Sequence, residues 1–348
     1  MSGLEILADQ QLRDTSEAVA ANEGDNLLDS SRPWWDDRYA SERNRFPASP
    51  LVAYRIKRDG PLRVPDLLLN SIGFVAEVLG PDLSVESLDP IATAFVVSVP
   101  SEGIPSARYF YAVTATHVFK TPGARTVIIV NKKGGGVTTL TLFPRWFRHP
   151  DKNVDVAVTP IAFDPTAEVS GFDAEDFFDE TRNSENVGPG DEVFFPGLFT
   201  PAPGIERIIP MVRHGNVAMI PRQQIQTGDG YTDLYLVEAR SIGGLSGSPV
   251  FVRETVVLPV ARHDETKAMM HGLGKFKLLG LIQGHWDVDE SKINQAHVSH
   301  DPKRGVNMGI AKVVPSKKIL ETINAPEIRA IRDSDEVRWL KENASSLD

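Results

Sequence analysis

Between Leu67 and Val313 no stretch carries a sustained helical period. The chain is cut instead into short runs rich in Val, Ile, Phe and Thr, separated by clusters of Gly, Pro and Asn. The runs are Ser71–Val78, Ala92–Val99, Arg108–Thr114, Thr126–Asn131, Val137–Phe143, Val154–Ile161 and Glu192–Pro196, then Ile208–Val212, Asn216–Ile220, Leu234–Ala239, Ser248–Val252, Lys277–Gln283 and Val306–Val313. Short strands with turn signals between them specify an all-β barrel or sandwich. Gly134-Gly135-Gly136 reads as a tight turn rather than a phosphate loop, because no helix follows it. The first long helical candidate starts at Pro315, with Ser316 as its expected cap, and Pro326 interrupts it. A second helical stretch, Glu327–Leu340, follows.

With 348 residues the chain is long enough for one large domain or two small ones. It contains no cysteine, which excludes disulfides, thiolate metal sites and a Cys nucleophile. Lys+Arg 37 against Asp+Glu 47 leaves a net charge of −10, which argues against nucleic acid or an anionic membrane as partner. No apolar run approaches the ~20 residues of a membrane helix, and Met1–Asp9 lacks the pattern of a signal peptide, so the expected location is cytoplasmic. Residues 1–66 read as an N-terminal arm, partly helical or irregular. Leu4–Ala20 is its polar helix candidate, and Arg32-Pro-Trp-Trp-Asp-Asp-Arg-Tyr39 an aromatic knot packed onto the body.

Three segments carry chemistry together. Thr114-Ala115-Thr116-His117 stands where a strand gives way to a turn. Asp155-Val156-Ala157-Val158 puts a carboxylate at the mouth of an apolar strand, and Gly243-Gly244-Leu245-Ser246-Gly247-Ser248-Pro249 is a glycine-rich turn ahead of another. Each alone is commonplace: a structural histidine, a strand-start aspartate, a turn. In the order His, Asp, Ser, with gaps of 38 and 91 residues on an all-β background, they form a joint signal.

On these motifs the sequence resembles the trypsin-like (chymotrypsin-fold) serine peptidases, in the style of bacterial members without disulfides. Leu279–Gly284 is similar to the family's strand bordering the substrate pocket. Gly305–Ile310 and Val313–Leu320 resemble its closing strand and C-terminal helix. The resemblance spans roughly residues 70–325 and implies a double six-stranded β-barrel with a C-terminal helix. The expected organisation is an arm at 1–66, a peptidase domain at 67–325 with the barrels meeting near 180–190, and a helical tail at 326–348.

The implied activity is a serine endopeptidase working without cofactor or metal on a peptide or protein substrate. A Ser hydroxyl is a poor nucleophile at neutral pH and needs a base to take its proton. That assigns Ser246 as nucleophile, His117 as general base and then acid, and Asp155 as the carboxylate that holds the imidazole's tautomer. The backbone N–H groups of Gly244 and Ser246 are the expected oxyanion donors. The resemblance puts the primary substrate pocket among Arg240, Ser241, Gln283, Gly284, His285, Gly305 and Asn307. An inward Arg240 would select an acidic side chain, whereas an Arg240 paired with Glu238 would leave a pocket for apolar or small residues.

Two departures stand out. Leu245 occupies a place where secreted members carry an acid for a newly cut N-terminus, so activation by that route is not expected. Gln283 replaces a small hydroxyl residue that often supports the aspartate. The rival readings are a non-catalytic peptide-binding relative and an esterase-like hydrolase with the same triad. An α/β-hydrolase is disfavoured, because Ser248 breaks its Gly-x-Ser-x-Gly elbow and the chain order is wrong. His285–Asp289 and His297–Asp301 read as one solvated polar loop, and Arg145–His149 as strand packing rather than a nucleic-acid surface.

Overall fold

The computed structural model describes residues 64–80, 83–119, 124–183, 186–204, 206–227, 230–239, 244–261, 267–289 and 305–343. The polar helix candidate and the aromatic knot of the arm lie outside the described residues, as do Arg240, Ser241 and the His297–Asp301 segment.

The first half of the described chain contributes α1 (Asp66–Leu69), β1 (Ile72–Val78), β2 (Leu88–Pro100), β3 (Arg108–Thr114), β4 (Thr126–Asn131), β5 (Val137–Thr139), β6 (Thr141–Leu142), β7 (Phe147–Arg148), β8 (Ala157–Ala162) and β9 (Phe172–Asp173). The sheet path runs β5-β4-β1-β2-β3-β8-β6. Its two ends are consecutive in sequence, since Leu140 alone separates β5 from β6, and the Leu140 N–H bonds to the Ile128 carbonyl at 2.9 Å. The predicted single run Val137–Phe143 is thus one strand bent at Leu140, and it closes the sheet into a barrel. A closed sheet leaves few edges unpaired.

The second half contributes α2 (Glu180–Asn183), β10 (Glu192–Gly197), β11 (Met211–Met219), β12 (Ile225–Thr227), β13 (Gly230–Thr232), β14 (Tyr235–Glu238), β15 (Pro249–Ala261), β16 (Lys267–Asp289) and β17 (Gly305–Pro315). Six of these strands form a closed barrel in the order β10-β11-β14-β17-β16-β15. The predicted pair Ile208–Val212 and Asn216–Ile220 is a single strand, β11, whose central Gly215 lies against the Glu238 carbonyl of β14, where a Cβ would come within 2.3 Å. His285–Asp289 is not a loop but the end of β16, in register with β17 (Asp287↔Asn307, Val288↔Val306). Its alternation of polar and apolar residues has the period of a strand.

Alternation also sorts the core. On β10, Val193 and Phe195 fill the second barrel, whereas Phe194 between them joins the core that runs into the first. There Phe194 stacks on Phe251 at 5.5 Å, Phe251 meets Phe172 of β9 edge-on at 5.1 Å, and Phe276 meets Phe194 at 5.1 Å. This aromatic cluster is the seam between the barrels, and ring pairs of this geometry add to the burial of their area.

Two helices end the described chain, α3 (Ser316–Ile323) and α4 (Pro326–Asn343). Pro326 is the first residue of α4, where its missing N–H costs no hydrogen bond. Ser316 does not cap α3. Pro315 stands at the cap, and the Ser316 hydroxyl donates to the Phe178 carbonyl at 3.1 Å. Along α4, Arg329 pairs with Glu102 and Arg145 with Glu327, while Ser101 Oγ donates to Glu336 at 2.5 Å. The buried Arg332 guanidinium donates to Tyr111 Oη, the Ile323 carbonyl and Asn324 Oδ1. The tail is therefore fastened to the first barrel.

Candidate active site

The strand register brings His117 and Asp155 together. β3 and β8 are antiparallel with Thr114 opposite Ala157, so the residues just after one and just before the other emerge at the same barrel rim. His117 follows in a short 3-10 turn, Thr116–Val118, and Asp155 stands two residues ahead of β8. Asp155 Oδ1 accepts the His117 backbone N–H at 2.9 Å, and Oδ2 lies 2.6 Å from Nδ1. An ionised carboxylate only accepts, so Nδ1 carries the proton and Nε2 is left as the acceptor. Ser246 Oγ is 2.9 Å from that Nε2, the right arrangement for the hydroxyl to donate.

Ser246 comes from the other barrel, in the turn that leads into β15. Two glycines shape the turn. Gly244 has φ +92°, and a Cβ there would sit 2.8 Å from the Leu198 carbonyl. Gly247 has φ +83°, and its Cβ would come within 2.2 Å of the Thr93 carbonyl. A side chain at either position would be strained in its backbone and crowded in space. Leu245 between them is buried in the core of the second barrel and anchors the turn. Gly247 N–H donates to the Ile282 carbonyl and Ile282 N–H to the Ser248 carbonyl, which ties the turn to β16.

The pocket residues are less completely brought together. Gln283 is buried on β16, and its Oε1 has no hydrogen-bond partner. The bonds that orient Asp155 come instead from the His117 main chain and ring. Gly284 and His285 continue β16, opposite Lys312 and Ala311. Gly305 and Asn307 lie on β17, across from Asp289 and Asp287. Arg145, from the basic-aromatic segment, lies over the Phe147 ring at 4.4 Å and pairs with Glu327.

Thr93 is the residue that sequence reasoning overlooked. It stands on β2, fully buried, and contacts the Ser246 turn from the first barrel. Nothing in Ala92-Thr93-Ala94-Phe95 distinguishes it from an ordinary strand residue.

No family model and no curated protein matches the sequence. Among solved structures, the chain is similar to the MamO protease domain from Magnetospirillum magneticum in its apo form, at 15% identity and a TM-score of 0.36, covering 60% of this chain and 93% of that one.

Proposed function

We propose that this chain is a serine endopeptidase that cleaves peptide bonds through an acyl-enzyme. The observation that carries the reading is the unbroken run of hydrogen bonds Asp155–His117–Ser246, at 2.6 and 2.9 Å, spanning two barrels. Ser246 Oγ attacks the scissile carbonyl while His117 Nε2 takes its proton, and the imidazolium then gives that proton to the leaving amine. Water repeats the sequence on the acyl-enzyme and releases the acid. Asp155 keeps the proton on Nδ1 and stabilises the imidazolium. The N–H groups of Gly244 and Ser246 serve the oxyanion. Leu245, buried and uncharged, offers nothing to a new N-terminus, so the intact chain is competent without cleavage.

The test is covalent labelling. The full chain is treated with a fluorophosphonate and its peptides are weighed. Modification at Ser246, absent from Ser246→Ala, supports the reading, and an unlabelled wild type overturns it. Cleavage of a peptide library then separates an endopeptidase from an esterase, which would turn over activated esters alone. A preference for Glu or Asp before the cleaved bond that vanishes in Arg240→Ala would assign Arg240 to the pocket, and a preference for Leu, Ala or Val would exclude that role.

A further inference from the structure

Outside its strand ladder Thr93 makes four hydrogen bonds, and two of them end on the carbonyls of Gly244 and Ser246, on either side of Leu245. Its N–H donates to the Ser246 carbonyl at 3.0 Å. Its Oγ1 donates to the Gly244 carbonyl at 2.8 Å and accepts the Leu198 N–H at 2.9 Å. Its own carbonyl accepts the Thr114 hydroxyl at 2.7 Å. A hydroxyl has one proton to donate, and the Leu198 N–H occupies an acceptor lone pair, so that proton is directed to Gly244. The bonds to Leu198 and Thr114 are buried and the one to Gly244 is partly buried, and in such surroundings an unmade bond is costly and a made one is rigid.

From this geometry we propose that Thr93 is a positioning residue for the oxyanion donors, acting from the first barrel on a turn of the second. The inference rests on the serine-hydrolase reading. Pinning the Gly244 and Ser246 carbonyls fixes the Gly244–Leu245 and Ser246–Gly247 peptide planes, and the Leu245–Ser246 plane that carries the Ser246 N–H is held between them. It also holds Gly244 at its positive φ, a conformation that glycine leaves easily when nothing restrains it. Donors set in place before the reaction need no reorganisation as charge develops, which is where their advantage lies. The Thr93 main-chain bond survives any substitution other than proline. The side-chain bond to Gly244 is the part under test.

Thr93→Val keeps the shape and removes the hydroxyl, and Thr93→Ser keeps the hydroxyl. In the full chain the expected result for Thr93→Val is a kcat about 10- to 100-fold lower with KM little changed, since the loss falls on the transition state. Its affinity for a peptide boronic acid, which binds as a tetrahedral adduct, should fall in parallel. Thr93→Ser should restore kcat to within about threefold. If Thr93→Val does not fold, Thr93→Cys replaces it, and its weaker donor should still lower kcat about tenfold. Wild-type kcat in the folded Val or Cys variant overturns the proposal, as does a folded Thr93→Ser no better than Val. Fluorophosphonate labelling of wild-type Ser246 is measured alongside. If it fails, the hydrolase reading falls; if it succeeds while Thr93→Val keeps full kcat, only the positioning role falls.

Discussion

The two barrels hold their parts of the site in different ways. The first holds His117 and Asp155 by contacts within itself: a strand register, Thr114 opposite Ala157, and a main-chain bond from His117 to the carboxylate it also faces with its ring. The second holds Ser246 on a glycine-shaped turn whose carbonyls are bound by Thr93 of its neighbour. The His117–Asp155 pair thus depends on the integrity of one barrel, whereas the placement of Ser246 depends on how the two barrels dock. Docking in turn rests on the aromatic seam of Phe172, Phe194, Phe251 and Phe276.

The largest effect is expected inside the first barrel. In Asp155→Asn the amide oxygen can still accept the His117 main-chain N–H, which leaves the NH₂ facing Nδ1. Two donors cannot share a bond, so the ring's proton moves to Nε2 and the Ser246 hydroxyl loses its acceptor. Turnover should fall about 10⁴-fold while the melting temperature stays near that of the wild type. The check is kcat beside a thermal melt. A loss below tenfold would show that the first barrel's pair does not act as the base.

The seam comes next. Phe251 and Phe195 are both fully buried, but Phe251 lies between the barrels and Phe195 within the second. Truncating either to Ala should cost about 3–5 kcal/mol by urea unfolding. Only Phe251→Ala should also lower kcat in the folded protein, because it loosens the docking that sets Ser246 against His117. Equal kcat in the two variants would remove the distinction between the barrels.

Much of this was legible in the sequence for physical reasons. Arg108–Thr114 and Thr126–Asn131 coincide with β3 and β4, since aromatic and β-branched runs bounded by turn residues have few other uses. The three motifs were recognisable because His117, Asp155 and Ser246 each stand within three residues of a strand end, where local sequence constrains them. Thr93 was hidden because its side-chain partners lie 105 and 151 residues away. The union of Ile208–Val212 and Asn216–Ile220 into β11 was hidden by His214 and Gly215. Together these look like a turn until the close approach of β14 explains the glycine. The docking of α4 was equally silent, as Arg332 finds Tyr111 at a separation of 221 residues.

That helix yields the smallest effect and a distinct sign. Apart from the two bonds from Arg332 back to Ile323 and Asn324, the hydrogen bonds and ion pairs described above for α4 reach Ser101, Glu102, Tyr111 and Arg145, all on the first barrel's side of the seam. Asp335 lies on α4, and burial pushes its carboxyl up to about 6, opposed by Arg338 and reinforced by Glu336. The folded chain therefore holds this proton more tightly than the unfolded chain does. The stability it contributes is fully present below the ordinary carboxylate range and is lost as pH rises through about 6. Asp335→Asn stays neutral throughout, so its advantage over the wild type should grow between pH 4 and 7 and then level off. The gain should be on the order of 2 kcal/mol in urea unfolding. Because Asp335 interacts electrostatically with Tyr109 and Tyr111 of β3, on the barrel that holds its site residues internally, kcat at pH 7 should not change. An advantage independent of pH would show that the carboxyl is not buried against the barrel, and a changed kcat would mean that the tail reaches the His117–Asp155 pair after all.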